Sequence, residues 1–216
     1  MKRAFVDLDG TLLDSTLRHV ITLKKALQQA DIFDIDLCDY MKFKSDGYST
    51  EEYIHKKISV DGATGEKICK YWRDHIEDYE VVVLDKWYED AISFAQALKY
   101  ANYRVCILTA RRNSNYARQF ISNSNIMRFV DEIDVVDPQF ACLQKTNILF
   151  NKKCEFNIMV GDTENDYYSA VDAGIDNYML NRGFRSRKFW EQKGIASYQS
   201  LKDIREMILD EQKRVG

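Results

Sequence analysis

The sequence has 216 residues, of which 45% are hydrophobic and 30% are charged, and its formal net charge is −3. This length allows one full domain with a small accessory one, and the apolar fraction supports a proper core. The slightly negative charge argues against a broad nucleic-acid surface, and no apolar stretch is long enough to span a membrane. Five widely spaced cysteines without a CxxC pair indicate free thiols, so with no signal peptide we expect a cytoplasmic protein.

Two carboxylates follow an apolar run near the start of the chain. Residues Ala4–Val6 predict a buried parallel strand, and Asp7 and Asp9 come directly after it. Asp7 would lie at the carboxyl end of the strand, where open α/β sheets place their ligands. The pair predicts a nucleophile and an acid/base beside a hard divalent metal ion, whereas a solvated Asp-Gly turn is the structural alternative.

A second apolar strand is predicted over Tyr103–Thr109. Thr109 can offer a hydroxyl to an anion, and the amide of Ala110 adds a donor if a helix starts there. Arg111 and Arg112 come next and are candidates for binding a further anionic group. An ordinary strand end followed by a solvated helix start is the structural alternative.

Lys145 lies just ahead of an apolar cluster at 148–150 and is a candidate anion-binding group. A lysine in front of a helix is most often solvated. Lys152 and Lys153 are rivals, but they read as the exposed end of that helix.

A third apolar strand, Ile158–Gly161, ends in Asp162, and Asp166 follows four residues later. This spacing puts Asp162 at the tip of the strand and Asp166 in the first turn of a helix, where the helix dipole favours a carboxylate. A calcium-binding EF-hand is excluded, because Tyr167 and Ala173 replace the glycine and glutamate that its loop requires.

Taken in order, these segments resemble the four motifs of the haloacid dehalogenase superfamily. The resemblance rests on four segments, namely Asp7-Leu-Asp-Gly-Thr, Thr109, Lys145 and Gly161-Asp162-Thr-Glu-Asn-Asp166. Most members of that superfamily are magnesium-dependent phosphatases. The third motif departs from the commoner Lys-Pro form, because Thr146 follows the lysine.

The resemblance implies a role for each of these residues. Asp7 would be the nucleophile and Asp9 the acid/base, while Thr109 and Lys145 would bind the phosphoryl oxygens of the substrate. Ala110 and Arg111 remain substrate-binding candidates from their positions after Thr109. Mg²⁺ would be held by the Asp7 carboxylate, the Asp9 backbone carbonyl and Asp162, with Asp166 orienting a further ligand. The second aspartate, Asp9, separates the chain from the metal-free dehalogenases that name the superfamily.

The gaps between motifs predict the domain organisation. The chain from Asp7 to Thr109 is far longer than one crossover needs, whereas Thr109 to Lys145 leaves room for one helix and one strand. We expect a three-layer, Rossmann-like α/β core with a parallel sheet, formed by residues 1–14 and 86–216. Residues 15–85 would be an inserted α-helical cap, which in this superfamily is the C1 type.

The cap sequence carries helical periodicity and a capping box at Ser49–Glu52. His75 lies on an apolar stripe and is interpreted as a packing residue. The loops Lys44–Tyr48 and Asp61–Gly65 are interpreted as surface turns, one of which would select the substrate. Hinges are expected at 14–16 and 84–87.

Three classes of function follow from these residues. The leading one is a magnesium-dependent hydrolase of a small phosphorylated metabolite that works through an aspartyl-phosphate. A phosphomutase with the same intermediate and a non-catalytic binding relative are the alternatives, and the intact motifs argue against the last. The sequence predicts no nucleic-acid or membrane partner and leaves the substrate and the oligomeric state open.

Overall fold

The computed structural model describes residues 1–33 and 36–215, with side chains through residue 208. Small parts of the predicted cap (34–35) and core (216) therefore lie outside the described residues. Within the described residues, no helix is both long and apolar enough to cross a membrane.

Parallel strands form the centre of the molecule. The strands are β1 (Lys2–Val6), β2 (Leu13–Asp14), β3 (Lys86–Trp87), β4 (Tyr103–Ala110), β5 (Glu132–Val136), β6 (Phe156–Gly161), β7 (Asp176–Leu180) and β8 (Ser197–Tyr198). Six of them form one sheet in the order β5-β4-β1-β6-β7-β8, and every neighbouring pair in it is parallel. The sites at the carboxyl ends of β1, β4 and β6 therefore meet at one edge of the sheet.

Helices alternate with these strands. They are α1 (Thr16–Gln28), α2 (Leu37–Ser45), α3 (Thr50–Lys57), α4 (Gly62–His75), α5 (Tyr79–Val82), α6 (Ala91–Tyr100), α7 (Ser114–Ser122), α8 (Ala141–Lys152), α9 (Glu164–Ala173), α10 (Arg187–Gln192) and α11 (Leu201–Val215). Short 3₁₀ turns cover Asn125–Phe129 and Pro138–Phe140.

The sheet separates two apolar layers because side chains alternate along each strand. Ala4 and Val6 of β1 face a core built with helices α6 and α11. Phe5 faces the opposite core, where its partners in register, Cys106 and Met159, pack with helices α8 and α9. The fold is thus a three-layer α/β fold of the Rossmann-like class, as the sequence predicted.

Helices α1 to α4 form a separate apolar cluster. Its buried members include Leu23, Tyr40, Ile54 and Ile68. The predicted capping box is confirmed, since Ser49 accepts from the amide of Glu52 and the Glu52 carboxylate accepts from the Ser49 amide. These helices are the inserted helical cap of the predicted fold class.

The antiparallel strands β2 and β3 pair the segment that leaves the sheet after β1 with the segment that returns to the core before α6. Leu13 pairs with Trp87, and Asp14 pairs with Lys86. This ribbon lies at the two positions where hinges were expected. The domain boundaries 15–85 and the hinge function stay predictions.

The two cap segments interpreted as surface turns are largely helical. Lys44 and Ser45 end α2 and the Lys44 side chain is buried, so in the first segment the turn is confined to Asp46 and Gly47. In the second, Asp61 caps α4, and residues 62–65 form the first turn of that helix. The strand predicted between Thr109 and Lys145 is β5, and a 3₁₀ turn precedes it.

Candidate active site

Asp7 follows the last residue of β1 and is buried. Its Oδ1 accepts a hydrogen bond of 2.7 Å from the Lys145 ammonium. Burial raises the pKa of Asp7 well above its ordinary value; the Lys145 charge opposes this rise, whereas the charges of Asp166 and Asp162 add to it. Asp7 therefore lies in an excess of negative charge that a cation would relieve.

Asp162 comes directly after β6 and is fully buried. Its carboxylate accepts from the Thr11 hydroxyl at 3.3 Å and from the Phe184 amide at 2.6 Å. Burial, with the charge of Asp166, raises the pKa of Asp162 to about 7. Gly10, with φ of +79°, adopts the left-handed turn that glycine favours, and a Cβ there would overlap the Asp162 carboxylate.

Lys145 lies in the second turn of α8. The expectation that it precedes the helix was wrong, since the 3₁₀ turn at Pro138–Phe140 leads into α8 at Ala141. Its ammonium is buried and donates to Asp7 and, at 2.6 Å, to Asp166 Oδ1. Burial acts against the charged form, but Asp166 and Asp7 outweigh it and raise the pKa of Lys145.

The rival lysines are occupied elsewhere. Lys152 donates to Glu132 at 2.8 Å and to Asp134 at 2.6 Å, on the surface formed by β5. Lys153 donates to the carbonyl oxygen of Ala173. Of these three lysines, Lys145 alone contacts Asp7.

The Asp166 carboxylate is also hydrogen-bonded to Thr163. Its Oδ2 accepts from the amide and the hydroxyl of Thr163, at 3.1 and 2.8 Å, which closes a capping box at the start of α9. The sequence placed Asp166 in the first helical turn, and the structure agrees. These contacts fix its carboxylate against Lys145.

Asp7, Asp162 and Asp166 are suited to hold a metal ion. Each offers a carboxylate oxygen, and these oxygens lie within 4.8 Å of one another. Lys145 supplies one positive charge against three negative ones, so the cluster favours a further cation. Oxygen-only donors match the preference of Mg²⁺, and the predicted ion therefore fits this site.

Thr109 is buried near the end of β4, and Ala110 is the last residue of that strand. The helix expected right after Thr109 begins only at Ser114, so the amide of Ala110 is not at a helix start. Both residues nevertheless line the same cavity as Asp7 and Lys145. The carboxyl end of β4 thus lines the cavity beside Asp7 and Lys145, where the sequence predicted it.

Asp9 points into a cluster of buried charges. Arg111 Nε and Nη2 donate to its two carboxylate oxygens, each at 2.6 Å, and Arg18 Nη2 donates to Oδ1 at 2.5 Å. Burial alone would raise the pKa of Asp9, but Arg111 and Arg18 outweigh it and lower it. Asp9 is therefore held in its ionised form.

Asp85 completes this cluster from the returning end of the inserted segment. Its carboxylate lies 3.1 Å from Arg18 Nε and 3.2 Å from Arg111 Nη2. Burial raises the pKa of Asp85 to about 6, against the charge of Arg18. The two positive charges of Arg18 and Arg111 are thus balanced by the two negative charges of Asp9 and Asp85.

The arginines after β4 differ from the sequence interpretation. Arg111 is buried, so the alternative of a solvated helix start does not apply to it. Its guanidinium, which was predicted to bind the substrate, already forms ion pairs with Asp9 and Asp85. Arg112 is exposed, and its guanidinium donates to the Arg73 carbonyl oxygen at 2.6 Å. Substrate binding by Arg111 stays a prediction, and it would require exchange of one of these partners.

A cavity of about 230 Å³ opens over the carboxyl ends of the strands. Its core side carries Asp7, Asp9, Thr109 and Lys145. Its opposite side carries residues that sequence reasoning did not select. They are Arg18, His19, Trp72, Ile76, Glu77 and Phe184.

Little in the sequence pointed to this second group. Arg18 interrupts the apolar stripe of α1, which was a usable signal. His19 appeared isolated, and Trp72 matched a packing stripe. Phe184 lies in the loop after β7, where the sequence has no periodicity to interpret.

A family model described as haloacid dehalogenase-like hydrolase matches residues 5–180. The chain belongs to this family. The resemblance predicted from the four motifs is thereby confirmed, as is the expectation of an enzyme of this family. The pyrophosphatase PpaX of Bacillus cereus is 24% identical over 190 residues, covering 86% of this chain and 85% of that protein. A phosphoglycolate phosphatase of Mesorhizobium japonicum is also 24% identical, covering 84% of this chain and 83% of that protein.

Solved structures show the same fold. A protein described as a predicted phosphatase from Clostridium acetobutylicum superposes with a TM-score of 0.73 at 21% identity, covering 97% of this chain and 98% of that one. A haloacid dehalogenase-like family hydrolase from Streptococcus pneumoniae gives a TM-score of 0.76 at 18% identity, covering 95% and 97%. At these identities the likeness establishes the fold, including the helical cap.

Proposed function

We propose that this enzyme is a magnesium-dependent phosphomonoester hydrolase that acts on a small phosphorylated metabolite through an aspartyl-phosphate. One observation carries the proposal: Asp7 lies buried at the carboxyl end of β1, bonded to Lys145 and within reach of Asp162 and Asp166. The phosphatases among the relatives support the same chemistry.

Asp7 is the nucleophile. Its carboxylate oxygen attacks phosphorus, a bond from Asp7 to phosphorus forms, and the ester bond to the leaving oxygen breaks. Lys145, together with the Thr109 hydroxyl, stabilises the negative charge on the phosphoryl oxygens.

Asp9 is the acid and base. In its protonated form it gives a proton to the leaving oxygen, and the resulting carboxylate then takes a proton from the water that attacks the aspartyl-phosphate. Phosphate leaves and Asp7 is regenerated. Arg18 and Arg111 hold Asp9 as the carboxylate in the ligand-free protein, so substrate binding must loosen this pairing before Asp9 can carry a proton.

Mg²⁺ would be held by the carboxylates of Asp7 and Asp162 and by the backbone carbonyl of Asp9. Asp166 would orient a further ligand and fix Lys145. When bound, the ion offsets the carboxylate charge and polarises a phosphoryl oxygen. Gly10 supports this role, because only a residue without Cβ lets the Asp9–Thr11 turn approach Asp162 this closely.

Residues 15–85 would act as the cap that admits a small substrate and then excludes bulk water. The ribbon of Leu13–Asp14 with Lys86–Trp87 would hold its two hinges, which matches the expected positions. The small volume of the cavity, about 230 Å³, favours a small metabolite over a phosphoprotein or a nucleic acid.

The test is release of phosphate from p-nitrophenyl phosphate by the purified chain. Activity should require Mg²⁺, vanish with excess EDTA and return when Mg²⁺ is restored. Free phosphate as the product distinguishes hydrolysis from the phosphomutase alternative, which returns a rearranged phosphate ester. Full activity in EDTA would contradict the proposal.

A further inference from the structure

Two of the residues that line the cavity, His19 and Trp72, each carry a buried nitrogen atom without a partner in the part of the chain that the structure describes. His19 Nδ1 and Trp72 Nε1 are buried, and neither has a hydrogen-bond partner among the described residues. The two rings pack together with centroids 5.5 Å apart, and both residues line the cavity. Since buried polar groups are nearly always hydrogen-bonded, this pair is suited to bind a ligand.

The surrounding packing fixes both rings in place. The His19 ring also contacts Phe184, at a centroid distance of 4.5 Å. The pair therefore comes from two helices, α1 and α4, and Phe184 supports it from the core side. Such a site is preorganised, so a ligand would not pay for ordering it.

The two guanidinium groups next to this pair are balanced by carboxylates. Arg18 and Arg111 are held by Asp9 and Asp85, so each guanidinium faces carboxylates. Arg112 lies farther out, donates its guanidinium to a backbone carbonyl, and has its amide bonded to Glu77. A second anionic group on the substrate would therefore meet guanidinium groups whose charge is already compensated.

His19 is uncharged in this setting. Burial, together with the positive charges of Lys44, Arg18 and Arg111, holds its pKa well below the ordinary value. Lys44 itself lies behind Phe184, 4.9 Å from the ring centroid, and donates to the Thr50 hydroxyl at 3.4 Å. A neutral imidazole offers one donor and one acceptor, and the indole offers one donor.

We propose that His19 and Trp72 form a subsite for the leaving group, and that this group is a small neutral alcohol bearing further hydroxyls. A hydroxyl both donates and accepts, so it can bond to the imidazole and the indole at once. The substrate is then the monophosphate ester of a short polyol or sugar. This inference rests on the proposed function and names its substrate class.

Two matched substrates isolate the effect of the hydroxyls. Glycerol 1-phosphate and propyl phosphate share a three-carbon chain and differ only in the two hydroxyls. The wild-type enzyme should have the higher kcat/KM with glycerol 1-phosphate, and it should prefer this substrate to phosphoglycolate and to pyrophosphate. A preference for either of these two competitors, each of which carries a second anionic group, would overturn the proposal.

Two variants test whether His19 and Trp72 cause the preference for glycerol 1-phosphate. Trp72→Phe removes the indole N–H, and His19→Phe removes the imidazole nitrogens while keeping an aromatic ring. Each should lower the ratio of kcat/KM for glycerol 1-phosphate over propyl phosphate by about threefold to tenfold, the value of one hydrogen bond. Tyr71→Phe is the matched control, because Tyr71 is the neighbour of Trp72 on α4 and its ring packs against His75 instead. An unchanged ratio in both Trp72→Phe and His19→Phe would overturn the proposal.

A binding measurement tests the subsite independently of the proposed function. Should the enzyme hydrolyse none of the esters with Mg²⁺, the proposed function fails, yet calorimetric titration with glycerol 1-phosphate and propyl phosphate still measures the subsite. Tighter binding of glycerol 1-phosphate that Trp72→Phe removes supports the subsite. Equal affinities would overturn it.

Discussion

The Lys145 ammonium joins Asp7 to Asp166, with 2.7 Å to Asp7 Oδ1 and 2.6 Å to Asp166 Oδ1. A residue of α8 thereby links the end of β1 to the start of α9. All three side chains are buried, so their mutual attraction is poorly screened by solvent. This contact supports the prediction that Lys145 is the lysine of the third motif.

Replacing Lys145 should cost far more activity than replacing Lys152. Lys145→Ala removes the cation next to the attacked phosphoryl group and leaves Asp7 beside uncompensated carboxylates. We expect a fall in kcat/KM on the order of 10²–10³, the range for losing one charge-stabilising donor. Lys152→Ala is the control because it keeps helix α8 and removes an ion pair with Glu132 and Asp134. Equal losses in steady-state assays would contradict the assignment.

Asp9→Asn should slow both chemical steps without unfolding the protein. The amide cannot shuttle a proton, so kcat should drop by roughly 10²–10⁴. A leaving group of low pKa, such as p-nitrophenol, needs little protonation and should suffer less than an alkyl phosphate. The comparison of the two substrates is the check, and an equal loss on both would contradict the role of Asp9 as general acid.

Lys44→Met should stabilise the protein at neutral pH. Burial lowers the pKa of Lys44 to about 7, below its ordinary value of 10.5. The folded state therefore binds this proton less readily than the unfolded state, and Lys44 costs stability progressively as the pH falls from about 10.5 to 7. Replacement with a neutral side chain of similar length removes that cost.

Thermal melts at pH 6.5 and pH 9 measure this effect. The gain in Tm from Lys44→Met should be larger at the lower pH. Lys42→Met is the matched control, since Lys42 is on the same helix and exposed. A lower Tm for Lys44→Met at pH 6.5 would show that an attractive contact stabilises the ammonium.

The sequence predicted the parts of the site that lie at strand ends. Asp7 and Asp162 follow apolar runs, and parallel strands bring their ends to one edge of the sheet, so their proximity required only the fold class. Asp166 was placed because a helix must start soon after β6. Asp7 and Asp162 could both be placed because the same local pattern, an apolar strand followed by a carboxylate, occurs at each position.

The remainder depends on tertiary packing that no local pattern encodes. Arg111 was expected to face the substrate, but its partner Asp85 comes from the far end of the inserted segment. Lys44 was interpreted as part of a surface turn, but tertiary packing buries its side chain. His19 and Trp72 meet only when α1 and α4 pack together.

The central claim is that Asp7 is the nucleophile of a phosphatase, and Asp7→Asn tests it most directly. The measurement is phosphate release from p-nitrophenyl phosphate with saturating Mg²⁺, with folding verified by circular dichroism and a thermal melt. Asp172→Asn is the control, since Asp172 is an exposed carboxylate of α9 that takes no part in the cluster. We predict that Asp7→Asn falls to the buffer background while Asp172→Asn keeps most of the wild-type rate. A folded Asp7→Asn variant that turns over at the wild-type rate would contradict the account.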